Sequence, residues 1–556
     1  PFAGGGAIPL EAQRLGLEAH ASDLNPVAVM INKAMIEIPP KFTGQPPVNP
    51  ESRRKLGGEW KGAQGLAEDV RYYGKWMKQR AWERIGDLYP KVKDENGIER
   101  TVIAWIWART VKCPNPACGC EMPLARSFVL SKKKGKEQYV EPIITNGKVS
   151  YAVKEGKNAP EGTVGRTGAK CICCGAPVEL NYIRSEAKAK RMGAHMMAIV
   201  AEGKGGRLYF APDNNQIQAA ESPVPDERIP QSNLPEKALG FRVQAYGMTQ
   251  HKDLFTNRQL TVLSTLSGLI NDVKTQVVSD GGSQEYADAI GVYLAFAVDK
   301  QADVCSTICS WININGVVRN TFARPTISMV WDYTEVNPFS SSTGSNKLIV
   351  EKISECISML PSEGEATVRQ LDAQSDNGFR NIMISSDPPY YDNIGYADLS
   401  DYFYVWMRQA LRSTYPDLFR TMLVPKAEEL IATPFRFDGS MEAARNFFED
   451  GMLKTFHQIY KYAHNEIPVT IYYAFKQSEN EKDEENGETS TASTGWETML
   501  SAIVQSGFSI TGTWPISTEK VGRTRDISSN ALASSIVLVC RKRPADAPIC
   551  TRRDFI

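Results

Sequence analysis

The chain has 556 residues, which is too many for one ordinary domain, and its hydrophobic content of 42% suffices for the cores of about two to four domains. Its 64 basic and 64 acidic residues give a net charge of zero, which argues against a dedicated nucleic-acid coat protein but allows a local basic groove. No apolar run is long enough to cross a membrane, so we expect no membrane partner. The eleven cysteines include clustered pairs, which indicate metal binding in a reducing, cytoplasmic compartment rather than disulfides.

The chain opens on a glycine-rich loop, Pro1-Phe2-Ala3-Gly4-Gly5-Gly6. The residues after it predict a helix (8–15) and a strand (17–21). Glycines let a loop approach a ligand closely, and a helix that follows offers free N–H groups. An acidic residue about 20 positions later suits ribose hydroxyls, and Asp23 lies at that distance from Gly4. A flexible loop without a ligand is the alternative.

Two cysteine pairs, each followed by glycine, lie within residues 105–180: Cys113-Pro-Asn-Pro-Ala-Cys118-Gly and Cys171-Ile-Cys-Cys174-Gly. Thiolates match the softness of zinc, and turns of this kind bring both sulfurs of a pair to one ion. The predicted ligands of a structural zinc are Cys113, Cys118, Cys171 and Cys174. Four sulfurs leave no open position for catalysis. Cys120 and Cys173 remain alternative ligands.

Basic residues occur inside this segment and just after it. The first run comprises Lys132, Lys133, Lys134 and Lys136, and the second spans residues 188–191. Lysines that contact phosphates give salt-sensitive affinity without sequence specificity, so we hypothesise that this region clamps DNA. A solvated hairpin tip would explain the first run equally well.

Residues 181–345 contain no motif whose chemistry can be read, and the apolar spacing of 255–278 and 286–312 predicts helices. An α/β pattern resumes near residue 346. A predicted helix (347–359) precedes a strand (366–371) that ends at Asp372.

The sequence Ser386-Asp387-Pro388-Pro389-Tyr390 follows the apolar run Ile382–Ile384, which predicts a short buried strand. Two consecutive prolines cannot continue a helix or donate to a sheet, so the chain must leave the strand here. Asp387 and Tyr390 are therefore expected at the carboxyl end of a strand, where open α/β sheets bind their ligands. A simple turn is the alternative, because such tetrapeptides are common turn formers.

Asp-Pro-Pro-Tyr resembles the catalytic motif of the amino-group DNA methyltransferases. With the other motifs it makes the chain similar to the adenine-specific DNA methylase family that contains a zinc ribbon. The matching stretches are Pro-Phe-Ala-Gly-Gly-Gly, Ser-Asp-Leu-Asn-Pro, Cys-Pro-Asn-Pro-Ala-Cys-Gly, the run from Asp387 to Phe403, and Asn530-Ala-Leu-Ala-Ser-Ser-Ile-Val-Leu-Val. The family's motif has an Asp before the first proline, so we expect that this chain lacks N-terminal sequence.

The resemblance implies a doubly wound, Rossmann-like methyltransferase sheet that binds S-adenosylmethionine. The implied cofactor-binding residues are Phe2, Ala3, Gly4 and Gly6 of the loop, Asp23 for the ribose, and Asp372 for the adenine. Asp376 is a weaker candidate for the last role. Double-stranded DNA is the implied partner, and proteins of a restriction-modification or phage-defence system are further candidates.

The implied organisation is a methyltransferase domain split by a long insertion. Its first part is residues 1–40, with the cofactor loop and second strand, and its second part is residues 346–556. Between them we expect a helical insertion (41–104), a zinc ribbon (105–180), and a mainly helical segment for target recognition (181–345).

The predicted reaction is base flipping followed by direct methyl transfer to adenine N6. The amino nitrogen is a poor nucleophile because its lone pair is shared with the ring. The Asp387 carboxylate and the Pro388 carbonyl can accept its two hydrogens. Pro389 fixes the direction of that carbonyl, and the Tyr390 ring offers a stacking surface for the extracted base.

Two alternatives remain. The same acceptors would serve cytosine N4 or an RNA amine, although an Asp at the first motif position favours adenine. The chain could also be a zinc-ribbon DNA-binding module with an inactive methyltransferase fold, which need not bind S-adenosylmethionine.

Overall fold

The computed structural model describes residues 1–53, 59–225, 229–238, 240–391, 395–474, 491–516, 535–544 and 546–547. The chain is a mixed α/β protein that divides into two compact units, each built from segments distant in sequence. The first unit comprises Pro1–Glu37, Glu363–Ala397 and Val424–Ile556, and the second comprises Ile38–Ser362 and Asp398–Leu423. Among the described residues, no helix is both long and apolar enough to cross a membrane.

The helices of the described residues are, in chain order, α1 (Ala7–Arg14), α2 (Pro26–Asn32), α3 (Ile38–Lys41), α4 (Pro50–Arg53), α5 (Gln64–Ile85), α6 (Leu180–Lys188), α7 (Asn214–Ala220), α8 (Asn257–Ser279), α9 (Gln284–Val304), α10 (Asn346–Met359), α11 (Tyr396–Leu411), α12 (Met441–Tyr462) and α13 (Thr491–Gln505). The strands are β1 (Ala19–Asp23), β2 (Val92–Lys93), β3 (Glu99–Arg100), β4 (Val102–Lys112), β5 (Glu121–Leu124), β6 (Val129–Ser131), β7 (Gln138–Thr145), β8 (Lys148–Glu155), β9 (Gly168–Lys170), β10 (Pro177–Glu179), β11 (Gly193–Gly203), β12 (Gly206–Phe210), β13 (Ser310–Ile312), β14 (Val317–Arg319), β15 (Asp332–Val336), β16 (Ala366–Gln370), β17 (Ser385–Ser386), β18 (Val469–Ala474), β19 (Phe508–Ile516) and β20 (Ser535–Lys542).

The first unit contains two groups of paired strands. β1 pairs in parallel with β16, and Asp23 lies opposite Gln370 at the end of the ladder. The other group has the order β17-β18-β20-β19, in which β17 and β18 are parallel and β20 is antiparallel to both of its neighbours. Parallel strands end at the same edge, so the residues that follow β1 and β16 are brought together.

The core of the first unit forms between α12, α13 and the sheet that contains β18 and β20. Phe448, Met452 and Phe456 recur every four residues along α12 and are almost fully buried. This spacing places them on one face of the helix, where they pack with Ile471 of β18 and Leu538 of β20. The sequence predicted a strand at Ile382–Ile384. The observed strand, β17, is shorter and begins later, since the ladder with β18 includes only Ser385 and Ser386. The last matching stretch enters the structure at β20, and its residues 530–534 lie outside the described ranges.

The second unit is organised around β4, whose apolar residues are buried almost throughout. β4 pairs with β11 and β15 on its two sides, all antiparallel, in the order β12-β11-β4-β15. A smaller sheet, β6-β7-β8, and the helices α5, α8, α9 and α10 complete the unit. The range 181–345, which was expected to be mainly helical, supplies strands β11 to β15 as well as helices. Of these strands, β11 and β15 pair with β4, β12 pairs with β11, and β13 pairs with β14.

A buried ion pair joins the first turn of α8 to β15 and β4. Arg258 donates from Nε and Nη2 to the two carboxylate oxygens of Glu335, both at 2.9 Å, and its exposed fraction is 0%. The guanidinium carbon lies 3.8 Å from the centroid of the Trp105 ring in β4. Nη1 donates to the carbonyl of Leu88 at 3.0 Å, and the Thr256 hydroxyl donates to Glu335 at 3.0 Å. The charges are thus fully paired, as buried charges must be.

We predict that Arg258→Leu destabilises the second unit by about 3–5 kcal/mol, because it leaves the Glu335 carboxylate buried without its cation. Urea denaturation followed by tryptophan fluorescence would measure the loss, since Trp105 contacts the pair. The control is Lys352→Ala, which removes an exposed ion pair with Glu355 and should leave the stability nearly unchanged. Equal shifts in both variants would contradict the prediction.

Candidate functional site

The glycine loop lies directly against the end of β1. The N–H of Gly4 donates to Oδ2 of Asp23 at 2.8 Å, and the N–H of Asn25 donates to Oδ1 of the same carboxylate at 2.9 Å. Gly4 and Gly6 have φ angles of 50° and 81°, which favour glycine. Burial raises the pKa of Asp23, and the two N–H donors oppose that shift. The predicted loop and the predicted acidic residue are therefore in direct contact.

Asn32, which the sequence reasoning missed, holds this loop in place. Its side chain is buried, and Nδ2 donates to the carbonyls of Gly4 at 3.0 Å and Ala28 at 2.8 Å. A Cβ at Gly6 would lie 3.0 Å from Asn32 Oδ1, so both the position and the left-handed conformation of Gly6 require glycine. The available signal was a lone amide at the end of the apolar helix α2.

Asp372 lies at the same edge, just after β16. The N–H of Leu371 donates to the carbonyl of Asp23 at 3.0 Å, which extends the ladder by one residue. Asp372 accepts from the N–H of Gln374 at 2.9 Å. The weaker candidate, Asp376, is engaged by Arg380 at 2.8 Å, and this cation lowers the pKa of Asp376 to about 2. Asp372 thus directly follows the residue that is hydrogen-bonded to Asp23, whereas Asp376 is paired with Arg380.

The Asp-Pro-Pro-Tyr motif begins where β17 ends, and one hydrogen bond joins it to the glycine loop. The hydroxyl of Ser386 donates to the carbonyl of Pro1 at 2.8 Å. The N–H of Ala3 donates to the carbonyl of Ser22 at 3.1 Å, so the same loop also contacts the end of β1. The loop thus connects the carboxyl ends of β1 and β17.

Asp387 is accessible to solvent, yet the surrounding protein partly desolvates its carboxylate. This desolvation raises the pKa of Asp387 to about 6, against the opposing effect of a hydrogen bond from the Tyr390 hydroxyl. The Tyr390 ring contacts the Tyr473 ring at a centroid distance of 5.4 Å in an edge-to-face arrangement. Pro388 is buried and Pro389 half-buried. The role of Tyr390 as a stacking surface stays a prediction.

The four predicted zinc ligands converge in the second unit. The sulfurs of Cys113, Cys118, Cys171 and Cys174 all lie within 4.8 Å of one another. Cys113 Sγ is 3.7 Å from Cys174 Sγ, and Cys118 Sγ is 3.9 Å from Cys171 Sγ. A tetrahedral zinc with Zn–S bonds of about 2.3 Å requires S···S distances of about 3.8 Å. The arrangement could therefore hold a structural metal ion.

Two tight turns create this cluster. Gly119 and Gly175 follow Cys118 and Cys174 with φ angles of 55° and 76°. Three of the sulfurs receive a hydrogen bond from the N–H two residues further on: Cys113 from Asn115, Cys118 from Cys120, and Cys174 from Ala176. Such donors stabilise thiolates, the form in which cysteine binds zinc.

The remaining two cysteines of the segment, Cys120 and Cys173, also lie with Cys171 in a second group of sulfurs within 4.8 Å of one another. Cys120 and Cys173 form a disulfide with a Cα–Cα distance of 6.6 Å. For this pair the structure therefore has a disulfide where the sequence favoured metal binding. The turns that gather the four ligands also bring Cys120 and Cys173 together, because each lies within two residues of a ligand.

The two basic runs differ in their surroundings. Lys132, Lys133, Lys134 and Lys136 are exposed in the turn between β6 and β7, as expected for a hairpin tip. In the second run, Arg191 pairs with Glu186 at 2.6 Å, and Lys190 donates to the carbonyl of Gly247 at 2.7 Å. The second run is therefore largely engaged within the protein.

Comparison of the chain with protein-family models, with curated proteins and with solved structures finds no match.

We predict about one zinc ion per chain after gentle purification, held by the four-cysteine cluster. Cys174→Ser should lower the zinc content, because it removes one of the four sulfurs and oxygen is a poorer ligand for zinc in such sites. Cys356→Ser is the matched control, since Cys356 is also exposed but lies outside the cluster. Elemental analysis by mass spectrometry would test this. A metal content far below one per chain in the parent protein would refute the site.

Proposed function

We propose that this chain is an S-adenosylmethionine-dependent methyltransferase that methylates adenine N6 in DNA. The observation that carries the proposal is the convergence, in the first unit, of the glycine loop, Asp23, Asp372 and the Asp-Pro-Pro-Tyr motif. Backbone and side-chain hydrogen bonds link the loop to the ends of β1 and β17, and Asp23 to the residue before Asp372. These residues are far apart in sequence, so a set of unrelated turns would not be expected to meet in this way.

The strand pairing also supports the methyltransferase sheet that the resemblance implies. Two parallel pairs, β1 with β16 and β17 with β18, end at the residues proposed for the cofactor and for the target amine. The Pro1 loop bridges them through Ser386. In open α/β sheets, ligands bind outside the carboxyl ends of the strands. In a doubly wound sheet, both sets of residues would lie at the carboxyl ends of strands of the same sheet.

The loop and its neighbours fit S-adenosylmethionine. Gly4 and Gly5 are exposed, and a Cβ at Gly5 would meet nothing within 4 Å, so a ligand can approach the backbone closely. Asp23 and Asp372 supply carboxylates for hydroxyl and amino hydrogens, while Phe2 and Ala3 shape the loop beside Gly6. When bound, the cofactor supplies an electrophilic methyl group. The protein itself therefore needs to supply no reactive group.

In this proposal the protein binds and orients the target amine. The Asp387 carboxylate and the Pro388 carbonyl accept hydrogen bonds from the two N–H groups of the amine. These hydrogen bonds stabilise the positive charge that develops on the nitrogen during attack. The Tyr390 hydroxyl, which donates to Asp387, holds the carboxylate in position. Positioning and charge stabilisation supply the rate, and no covalent enzyme intermediate is needed.

The test is methyl transfer from labelled S-adenosylmethionine to unmethylated DNA, followed by nucleoside analysis, with Asp387→Asn beside the parent chain. N6-methyladenine from the parent and none from the variant would support both reaction and site. Formation of N4-methylcytosine, or methylation of RNA alone, would retain the chemistry and replace the substrate. No product together with no binding of S-adenosylmethionine would favour the DNA-binding module.

The raised pKa of Asp387 predicts the pH dependence of this activity. Only the ionised carboxylate carries the negative charge that stabilises the positive charge developing on the amine, so the rate should fall as the pH drops through about 6. A pH–rate profile measured at saturating cofactor would show this loss. A rate that stays constant from about pH 5 to about pH 8 would contradict the assigned role.

The same shift predicts the effect of Asp387→Asn on stability. A carboxyl group with a raised folded-state pKa binds its proton more tightly in the folded protein, so stability declines as the pH rises from about 4 to about 6. Asn cannot ionise, and its carbonyl can still accept from Tyr390. Asp387→Asn should therefore unfold at the same temperature as the parent or a higher one at pH above about 7, as measured by calorimetry. A clearly lower unfolding temperature would attribute its loss of activity to misfolding.

A further inference from the structure

Three turns of the second unit meet on one surface. They are the β6–β7 turn (residues 132–137), the β11–β12 turn (residues 204–205) and the β13–β14 turn (residues 313–316). The N–H of Lys132 donates to the carbonyl of Asn313 at 2.9 Å. Lys136 Nζ donates to the carbonyl of Gly205 at 3.0 Å. These contacts join three segments that are far apart in sequence into what we name the three-turn surface.

Side chains behind the turns hold them together. The indole N–H of Trp311 donates to the carbonyl of Leu130 at 2.8 Å, which ties β13 to β6. Arg207 Nε donates to the carbonyl of Gly316 at 3.2 Å, which ties β12 to the β13–β14 turn. Gly316 has a φ angle of 66°, and Tyr209 and Trp311 lie within 4 Å of the position that a Cβ would occupy. The turns therefore form one supported surface rather than three separate tips.

The three-turn surface carries positive charge that the protein does not neutralise. Lys132, Lys133, Lys134 and Lys204 are exposed, and within the described ranges none of their ammonium groups takes part in a salt bridge. The neighbouring Glu137 is paired with Lys157 at 3.5 Å. Four unpaired lysines on a chain of zero net charge concentrate positive potential at one place.

One apolar side chain stands among these lysines. Ile314, at the tip of the β13–β14 turn, is 68% exposed and lies between Asn313 and Asn315. Nucleic-acid-binding proteins place single apolar side chains against base steps in the minor groove, and amides can bond to base edges. An isolated exposed isoleucine flanked by amides fits a groove better than it fits a lipid surface, which requires a wider apolar face.

We propose that the three-turn surface binds double-stranded DNA, with the four lysines on phosphates and Ile314 against the groove. The choice of DNA as the partner rests on the proposed function. The assignment extends the hypothesis of a lysine clamp in two respects. It adds Lys204 and Ile314, which come from segments where the sequence showed no motif, and it leaves out the run at residues 188–191, which is engaged within the protein.

The experiment measures binding of the full chain to a fluorescently labelled DNA duplex over a range of salt concentrations. The Lys132→Ala, Lys133→Ala, Lys134→Ala, Lys204→Ala variant should bind at least about tenfold more weakly at low salt. Its slope of log affinity against log salt should fall by about 3–4, because each phosphate contact contributes about 0.9. The variant with arginine at the same four positions is the matched control and should keep the parent's slope.

Ile314→Ala tests the apolar contact with the DNA groove separately from the contacts between lysines and phosphates. It should weaken binding and leave the salt slope unchanged, because an apolar contact releases no counterions. An unchanged slope in the quadruple alanine variant would overturn the proposal, and so would an equal loss in the arginine variant. Binding to vesicles that contain anionic lipid, with none to DNA, would also overturn it in favour of a membrane surface.

The Asp387→Asn variant distinguishes the failure of this inference from that of the proposed function. It should keep the parent's salt slope, because Asp387 is proposed to contact a base amine rather than a phosphate and lies outside the unit that carries the three-turn surface. Lysine-dependent DNA binding without methyl transfer would count against the proposed function alone. Methyl transfer with an unaltered salt slope in the alanine variant would count against the three-turn surface alone.

Discussion

The parallel pairing of β1 with β16 is the constraint on which the candidate site depends. It joins His20 to Thr367 across 347 residues, with the imidazole Nδ1 2.7 Å from the threonine hydroxyl oxygen. Because the strands run in the same direction, Asp23 at the end of β1 and Asp372 just after β16 lie at one edge. Most of the second unit, Ile38–Ser362, is inserted in the sequence between these two strands. An antiparallel pairing of the same segments would send the two carboxylates to opposite edges.

The glycine loop at that edge is held in place by Asn32, a residue that has no proposed role in binding or catalysis. Asn32 binds the Gly4 carbonyl, and Gly6 fits only because it has no side chain in front of the amide. The exposed backbone of Gly4 and Gly5 is therefore fixed in position while remaining open to a ligand. Such preorganisation reduces the ordering that binding would otherwise require.

The second unit is a large segment that must be kept folded by interactions of its own. Its central sheet is joined to α8 by the buried Arg258–Glu335 pair. Two cysteines of the cluster, Cys113 and Cys171, pack with buried apolar residues of β4, β5 and β10. With these two anchors in place, short hairpins can extend to the surface and carry charge. The three-turn surface is built in this way, from residues that contribute little to the core.

The sequence by itself determined the local features whose information lies in adjacent residues. The cysteine turns, the glycine loop, the helices α1, α8 and α10, and the end of a strand at Asp-Pro-Pro-Tyr all follow from short-range spacing and backbone chemistry. The tertiary structure alone decided which of these features meet. The partner of β1, the Cys120–Cys173 disulfide, the role of Asn32 and the joining of Lys132 to Asn313 depend on contacts between residues far apart in the chain. Spacing along a sequence carries no record of such contacts, because they are selected by the packing of the whole unit.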